Sequence, residues 1–452
     1  MTHSTFWRSR LPLLCLLGPL LALAGCGSAT TLPESAGYGA DPTLPAPESS
    51  LIPTFAIADA VGWKAGETPA AAAGFRVAAF ATGLDHPRWL YKLPNGDVLV
   101  AETNAPPPPK DRQGGVRDWI QGLFMKLAGA RAPSPDRITL LRDADGDGVA
   151  ESRFVLLDHL ASPFGMALSG RHLYIANADA LVRVPYRDGE TKITEPPVQV
   201  AVLPAGRNHH WTKSLLAAPG GAKLYVGVGS NSNVAENGLA EEEGRAAIWE
   251  VDPETGAARP FATGLRNPVG LDWNPADHSL WVAVNERDEL GNDLVPDYLT
   301  RVQEGGFYGW PFAYWGQHVD ARVSPTRADL VVKAIRPDYA LGAHTGSLGL
   351  TFARGPWLGP DLDGAAIIGQ HGSWNRKPPA GYRVIAVPFQ DGKPAGEPRV
   401  LLDGFLDAKG EARGRPVGVL LDRRGGLLVA DDVGNVVWRL TRAGPASALA
   451  AP

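Results

Sequence analysis

A two-strand phrase recurs six times along the chain, and no other feature constrains the fold as strongly. Each copy has a loop, an apolar strand, a tight turn and a second strand. Four copies begin at residues 82–87, at residues 158–163, at residues 263–268 and at Arg415, and two looser copies run from His210 to Gly229 and from Gly346 to Gly369. Repeated sheets that cannot bury their faces alone stack radially. We therefore predict an all-β fold, a six-bladed β-propeller over residues 74–442.

The loop before each inner strand of a propeller converges on the central axis. The repeats therefore predict one mouth where side chains from separate blades meet. The side chains expected there are Arg88, Phe164, His210, Arg266, Asn267, His344 and Arg415.

Two insertions interrupt the regular spacing. Residues 118–128, between Thr103 and Asp136, have helical periodicity and predict a short helical insertion that is either a lid or a packing element. The second is aromatic-rich and contains residues 305–316. Its rings could stack on a flat ligand or a sugar, or form plain core.

The amino-terminal residues resemble a bacterial lipoprotein signal. Arg8 and Arg10 precede an apolar run that ends in Leu23-Ala-Gly-Cys26, which predicts a signal peptide over residues 1–25 and lipidation of Cys26; a plain signal peptide is the alternative. Residues 26–73 are interpreted as a tether and amino-terminal extension with little order in its first half, and residues 443–452 as a tail. We expect a periplasm-facing, membrane-anchored protein of the cell envelope, with the outer membrane favoured because Gly27 is not acidic.

The net charge and the acidic motifs limit which ligands and partners the chain is expected to bind. The net charge of −5 shows no basic stripe, so nucleic acid is not expected to bind. The carboxylates Asp143, Asp145 and Asp147 alternate before Gly148, as in a calcium-binding loop. The alternative is a hairpin turn in solvent.

Histidines and arginines are the remaining candidates. His209 and His210 could be acid–base groups or ordinary loop residues. Arg413 and Arg415 are two apart at a strand start, so we expect both guanidinium groups on one side, where they suit carboxylates. Cations from several repeats around one axis predict an anionic ligand.

The motifs together resemble one known family. They are His210-Trp-Thr-Lys213, Gly264-Leu-Arg-Asn-Pro268, Gly305-Gly-Phe-Tyr-Gly-Trp-Pro311 and Arg413-Gly-Arg-Pro-Val417. They are similar to the glucose/sorbosone dehydrogenase family, six-bladed propellers that use pyrroloquinoline quinone (PQQ) and calcium, and the likeness extends from Gly74 to Leu440.

The resemblance implies roles for individual residues. It makes His210 the general base, Arg266 a catalytic group beside the quinone, and Asp288 and Glu289 the backbone carbonyl ligands of the cofactor calcium. The residues implied in quinone binding are Arg88, Asn267, Arg376, Arg413 and Arg415. The chain departs from the glucose dehydrogenase pattern at His209, where the family has Asp, at Asp288-Glu289, where it has Gly-Pro, and at the cofactor lysine, for which Arg376 or His371 could substitute.

The resemblance implies a quinoprotein sugar dehydrogenase. His210 would remove a hydroxyl proton from an aldose or related sugar aldehyde while hydride passes to the quinone, and electrons would leave to a quinone or cytochrome acceptor. Two alternatives stay open: a non-catalytic binding propeller tethered to the envelope, and a calcium-dependent lactone hydrolase.

Overall fold

Six antiparallel sheets arranged around an axis form the propeller. The computed structural model describes residues 29–48, 56–107 and 133–444. Blade 1 consists of Pro87–Lys92, Val98–Glu102, Arg137–Arg142 and Ser152–Leu157; blade 2 of Met166–Ser169, His172–Ala176, Ala180–Pro185 and Val198–Val202; blade 3 of Lys213–Ala217, Leu224–Val228, Ala247–Val251 and Ala258–Thr263. The predicted six-bladed fold is confirmed, and the inner two strands of each blade are the repeated phrase.

The second half of the ring follows the same order. Blade 4 consists of Pro268–Trp273, Leu280–Val284, Pro296–Arg301 and Tyr339–Ala343; blade 5 of Ser347–Phe352, Ala366–Gln370, Arg383–Val387 and Arg399–Asp403; blade 6 of Pro416–Leu421, Leu427–Asp431, Val436–Arg442 and Phe75–Thr82. Phe75–Thr82 comes from the other end of the chain and pairs antiparallel with Val436–Arg442. This pairing closes the ring.

Short elements decorate the blades. Tyr38–Gly39 adds a fifth strand to blade 4 and Ala70–Ala71 a fifth strand to blade 5. Two small hairpins pair Ala313–Tyr314 with His318–Val319 and Phe389–Gln390 with Lys393–Pro394. The short helices are an α-helix at Ala328–Val331 and 3-10 helices at Glu34–Gly37, Leu239–Glu242, Pro356–Leu358 and Pro360–Leu362.

A separate hydrophobic core lies between each pair of neighbouring blades. Leu99 and Ile175 belong to the core between blades 1 and 2, and the closing strand contributes Phe80 to the core between blades 6 and 1. The other four interfaces have cores of the same kind. Burial of apolar surface on both faces of every sheet therefore stabilises the ring.

The glycine of the repeated phrase allows the inner strands to approach each other at the axis. A Cβ atom at Gly349 would lie 2.2 Å from the carbonyl oxygen of Val417, and one at Gly270 would lie 2.7 Å from that of Leu348. Both contacts are with backbone on the next inner strand, which cannot move aside. A side chain at either position would push two blades apart.

The amino-terminal extension packs against the propeller. The Thr30 hydroxyl donates to Asp293 at 2.5 Å, and Arg336 pairs with Asp41. Further along, Trp63 Nε1 donates to Asp431 at 2.7 Å. Residues 29–48 therefore have partners on the blades, and the expected lack of order in the first half of this segment is wrong for them.

Candidate functional site

The candidate site lies at the end of the propeller where each inner strand begins and each second strand ends. In three blades the first residue of the inner strand pairs with the end of the second strand: Pro87 with Glu102, Pro268 with Val284, and Pro416 with Asp431. Because the strands are antiparallel, the loops that precede one and follow the other share one face. The predicted mouth takes side chains from both sets of loops.

His210 is held by Ser230, which follows the second strand of blade 3. Its Nδ1 lies 2.9 Å from Ser230 Oγ and 3.1 Å from Ser230 O. The Ser230 hydroxyl donates its hydrogen to Ser232 O at 2.7 Å, so Oγ accepts from the ring. This network assigns the ring proton to Nδ1 and leaves Nε2 with a lone pair.

The charge state of His210 follows from its surroundings. Burial, and then the positive charges of Arg266, His209 and Lys213, lower the pKa of His210 well below its ordinary value of 6.5. The imidazole is therefore neutral near pH 7. A neutral ring with a lone pair on Nε2 is the form that a general base requires.

Arg266 forms a buried network with blade 4. Its guanidinium donates to Glu286 O at 2.5 Å and to Asn233 Oδ1 at 2.9 Å, and its Nη2 lies 3.3 Å from Asp288 Oδ2. Its side chain is 1% exposed. Arg266 is thus a fixed positive charge between blades 3 and 4, close enough to His210 to lower its pKa.

The Asp288 carboxylate faces three partners at the same place. His344 Nδ1 lies 3.0 Å and Asn375 Nδ2 lies 2.9 Å from Asp288 Oδ1. Although burial acts in the other direction, the His344 hydrogen bond and the Arg266 charge lower the pKa of Asp288 to about 2. Burial alone would lower the pKa of His344. The hydrogen bond to Asp288 and the charge of that carboxylate stabilise the protonated imidazole, so the pKa is raised. Asp288 therefore stays ionised near neutral pH.

A second cluster surrounds Asp432 at the end of blade 6. Arg88 Nη1 donates to Asp432 Oδ2 at 2.7 Å, and His371 Nε2 lies 2.9 Å from the same oxygen. Despite burial, the charge of Arg88 and the hydrogen bond from His371 lower the pKa of Asp432. Burial lowers the pKa of His371 to about 4, so a neutral His371 donates through Nε2–H to the carboxylate.

The Asp288 cluster and the Asp432 cluster lie at one face of the propeller, because residues of the same loop contact both. The Arg88 guanidinium lies 5.7 Å from the ring centre of Trp211, next to His210. His371 contacts Asp432, whereas Asn375 in the same loop contacts Asp288. Phe164, which was expected at the mouth, is instead fully buried in the core between blades 1 and 2, with its ring 5.8 Å from that of Trp211.

Buried polar atoms without a hydrogen-bond partner concentrate here. Arg415 is 4% exposed, lies 5.0 Å from the ring centre of Tyr382 and donates through Nη2 to Ala58 O. At this face, the unpartnered buried atoms include Arg88 Nε, Arg415 Nε, His86 Nε2, Asn267 Oδ1, Asn375 Oδ1 and Asp432 Oδ1. Buried polar atoms normally have partners. The two guanidinium groups suit the carboxylates of a planar polycarboxylate such as PQQ, whereas the unpartnered amide and carboxylate oxygens require a donor.

Two of the predicted quinone-binding arginines lie apart from this group. The nearest acidic partner of Arg413 is Glu67 of the extension, 3.9 Å from its Nε. Arg413 precedes the strand Pro416–Leu421, so strand alternation does not place it on the side of Arg415. Arg376 donates to Asn292 O at 2.9 Å, to Pro378 O and to Asp293 at 3.0 Å. These bonds hold two loops together.

The backbone carbonyls that were predicted to bind the cofactor calcium do not fit a cation. The backbone oxygen of Asp288 accepts from Arg322 Nη1 at 2.8 Å and from Asn233 Nδ2 at 3.2 Å. The backbone oxygen of Glu289 lies 3.4 Å from the same Arg322 nitrogen. Neither carbonyl is available to a metal ion without displacing a guanidinium.

The acidic loop of blade 1 brings its carboxylates together. Ligand oxygens of Asp143, Asp145, Asp147 and Glu151 lie within 4.8 Å of one another. The loop connects the two outer strands of blade 1. It is therefore separate from the axial face, and an ion bound there would act on stability.

Other sequence features do not enter the site. Trp310, Tyr314 and Trp315 of the aromatic insertion are at most 5% exposed, and their hydrogen bond to a site residue runs from Trp310 Nε1 to Asn233 O at 3.0 Å. A cavity of about 520 Å³ beside that insertion is lined by Trp315, Arg336 and Asp41, away from the axial groups. The predicted lipidated Cys26 and the predicted helix at 118–128 lie outside the described residues. In the described ranges, no helix is long and apolar enough to span a bilayer.

Several site residues were not identified from the sequence. Ser230, Asn233, Asn375 and Asp432 all follow second strands of blades. The repeated phrase draws attention to the loops before inner strands, where none of these four residues lies. Polar residues within about five positions after each second strand are the signal that would have found them.

Comparison with known proteins gives one family match. Residues 137–300 and 317–443, more than half of the chain, match the family described as TrAA12-like. An uncharacterized protein of Borreliella burgdorferi is 30% identical over 220 residues, 48% of this chain and 57% of that protein. A pyrroloquinoline quinone-dependent pyranose dehydrogenase of Coprinopsis cinerea is 25% identical over 363 residues, 70% of this chain and 44% of that protein. The chain thus spans about half the length of these curated relatives.

Solved structures share the fold. The iodide structure of Trichoderma reesei family AA12 has a TM-score of 0.66 at 20% identity and covers 88% of this chain and 100% of its own. The holo form of the pyranose dehydrogenase PQQ domain from Coprinopsis cinerea has a TM-score of 0.66 at 21% identity, with 85% and 100% covered.

Proposed function

The chain belongs to the TrAA12-like family, and from that premise we propose that it is a PQQ-dependent dehydrogenase of aldoses or related sugar aldehydes. The observation that carries the proposal is the pair of buried guanidinium groups, Arg88 and Arg415, each with an unpartnered Nε at the face that holds His210. The pyranose dehydrogenase relative in Coprinopsis cinerea is named for the same cofactor.

The axial residues have distinct tasks in this reaction. PQQ, when bound, supplies the hydride acceptor. Arg88 and Arg415 would hold its carboxylates, with Asn267 beside them. His210 Nε2 would accept the proton of the sugar hydroxyl, because Ser230 keeps the ring proton on Nδ1. Arg266 places a permanent positive charge at this face.

Reconstitution tests the proposal. Protein titrated with PQQ is screened against aldoses and sugar aldehydes with an artificial electron-accepting dye. We expect dye reduction with at least one sugar, and His210→Gln should lose about 10²- to 10⁴-fold in rate while it still binds the quinone. Absence of dye reduction over the whole panel would favour a binding propeller. Lactone hydrolysis without quinone would favour a hydrolase.

We also propose a calcium ion in the Asp143 loop. Asp143, Asp145, Asp147 and Glu151 offer oxygen ligands of the type that calcium prefers. The ion would join the two outer strands of blade 1. Its role would be structural, because the loop is remote from the axial groups.

The anchor and the acceptor complete the proposal. We propose lipidation at Cys26, a periplasm-facing position with the outer membrane favoured, and electron transfer to a quinone or a cytochrome. The sequence Leu23-Ala-Gly-Cys26 supports the anchor. Metabolic labelling with a fatty acid tests it: wild-type protein should be labelled and sediment with membranes, and Cys26→Ala should be neither labelled nor processed.

A further inference from the structure

The Arg322 guanidinium lies at the loop where a cofactor calcium was predicted. Its Nη1 donates to Asp288 O at 2.8 Å and lies 3.4 Å from Glu289 O. Its other nitrogens are fixed by Asp320, with Nε 2.9 Å from Oδ1 and Nη2 2.8 Å from Oδ2. Asp320 in turn pairs with the buried Arg287 at 3.0 Å. Arg322 is therefore part of a fixed network.

The loop carbonyls have little capacity left for a metal ion. Asp288 O accepts from Asn233 Nδ2 at 3.2 Å as well as from Arg322. A carbonyl oxygen has two lone pairs, and both are engaged. Calcium takes six to eight oxygen ligands at about 2.3–2.6 Å, so a calcium ion here would have to displace these donors and approach a guanidinium of the same sign.

The nearby carboxylates are already neutralised. Asp288 pairs with Arg266 at 3.3 Å and with His344 at 3.0 Å. Asp320 pairs with Arg287 and Arg322. The local excess of negative charge that attracts a hard dication is therefore absent around this part of the described chain.

We infer that the Arg322 guanidinium replaces the cofactor calcium at this loop, so that PQQ binding by this chain does not require calcium. Arginine stays charged at all physiological pH values, and here its nitrogens hold the loop carbonyl of Asp288 and the Asp320 carboxylate. It can therefore supply a permanent positive charge where a metal would otherwise be needed. The inference rests on the proposed function for the identity of the ligand.

Quinone titration in two buffers tests it. PQQ is added to protein carrying Asp145→Asn and Asp147→Asn, which removes ligands of the blade 1 loop, and tryptophan fluorescence is followed in excess EDTA and in millimolar calcium. We expect dissociation constants within about twofold of each other, because uncoupled ligands do not change each other's affinity. Calcium that tightens PQQ binding tenfold or more would overturn the inference.

Substitution of the arginine gives the second arm. Arg322→Ala should weaken PQQ binding in EDTA by about tenfold or more, because the variant lacks the positive charge proposed to replace the ion and leaves Asp288 O and Glu289 O without this donor. The matched control is Arg327→Ala, whose guanidinium pairs with the exposed Asp329 and which should bind PQQ like the parent. Equal binding by Arg322→Ala and the control would contradict a role for Arg322.

Direct calcium binding separates this inference from the proposed function. If PQQ does not bind in either buffer, the proposed cofactor is wrong, and calorimetric titration of calcium into the same Asp145→Asn/Asp147→Asn protein decides the inference alone. No binding heat up to millimolar calcium supports it. Calcium binding that remains in this protein and disappears on chelation contradicts it, if the site involves no acidic residue of the blade 1 loop.

Discussion

His210 Nδ1 lies 2.9 Å from the hydroxyl oxygen of Ser230, and that hydroxyl is itself a donor to Ser232 O at 2.7 Å. Because the Ser230 hydroxyl gives its hydrogen to Ser232 O, its oxygen accepts the hydrogen bond from His210 Nδ1. A serine can therefore select the basic tautomer of a histidine, a task often performed by a carboxylate. Because the hydroxyl is uncharged, it does so without the strong electrostatic effect of a carboxylate; the Ser230 carbonyl acts to raise the pKa of the ring, but burial and the neighbouring positive charges outweigh it.

Ser230→Ala should lower the sugar-oxidation rate. The ring then has Ser230 O, 3.1 Å from Nδ1, as its remaining acceptor, and a net neutral hydrogen bond corresponds to about three- to tenfold in kcat. Steady-state kinetics with PQQ-saturated protein measures the loss. Ser230→Thr, which keeps the hydroxyl, should restore the rate, and PQQ affinity should be unchanged in both; a loss that Thr does not repair would contradict the positioning role.

The wild-type rate should resist acid further than an ordinary histidine base allows. Burial and the charges of Arg266, His209 and Lys213 lower the pKa of His210 below 6.5, so the neutral form persists as the pH falls through 6.5. We expect kcat/KM to stay level there and then to fall about tenfold per pH unit below the lowered pKa. An acid limb centred at or above pH 6.5 would show that another group controls the rate.

Arg88 and Arg415 should determine quinone affinity, whereas Arg413 should not. Each charge-assisted hydrogen bond lost in Arg88→Ala or Arg415→Ala should raise the dissociation constant of PQQ by about 10- to 100-fold. Fluorescence titration measures it. Arg413→Ala is the matched control, because its guanidinium lies towards Glu67. An equal effect of Arg413→Ala would place Arg413 in the quinone site together with Arg415.

Calcium should stabilise the fold through blade 1. A ligand present at about 100 times its dissociation constant adds about 2.7 kcal/mol to the free energy of unfolding, so millimolar calcium should raise Tm by a few degrees. Asp145→Asn with Asp147→Asn should abolish this shift in differential scanning fluorimetry. Asp158→Asn, at an exposed position of the same blade, should keep it; a shift that survives the double substitution would place the ion elsewhere.

Arg287 should be the most costly of the blade 4 arginines to remove. Its side chain is completely buried between Glu286 at 2.9 Å and Asp320 at 3.0 Å. Arg287→Met leaves two buried carboxylates without this partner, and breaking a buried pair costs about 3–5 kcal/mol. Urea unfolding measures the loss. The exposed Arg327→Ala should leave the unfolding midpoint almost unchanged, and similar midpoints for the two variants would contradict the assignment.

The blades were predictable because their sequence signal is periodic. Each inner strand combines alternating apolar residues with a glycine, and Gly270 and Gly349 are required by backbone contacts at the axis. The convergence of His210 and Arg266 follows directly from the same repeat. Local pattern and three-dimensional packing thus point to the same arrangement.

The contacts of individual side chains were less predictable. Arg413 and Arg415 are two residues apart, but the backbone becomes a strand only at Pro416, so the alternation rule did not apply. Arg322 is distant in sequence from the carbonyls of Asp288 and Glu289 and comes from the insertion between strands of blade 4. No local pattern indicates which loop such an insertion will reach.

The pairing of Phe75–Thr82 with Val436–Arg442 has a consequence for how the molecule is made. The blade 6 sheet cannot be completed until nearly the whole polypeptide has been synthesised, because its outer strand is close to the amino terminus and the strands that it joins are close to the carboxyl terminus. Contacts so distant in sequence make folding slow. Until then Phe80 and the apolar face of blade 1 lack the blade 6 strands that bury them, so the unclosed chain should be prone to aggregation up to the moment of closure.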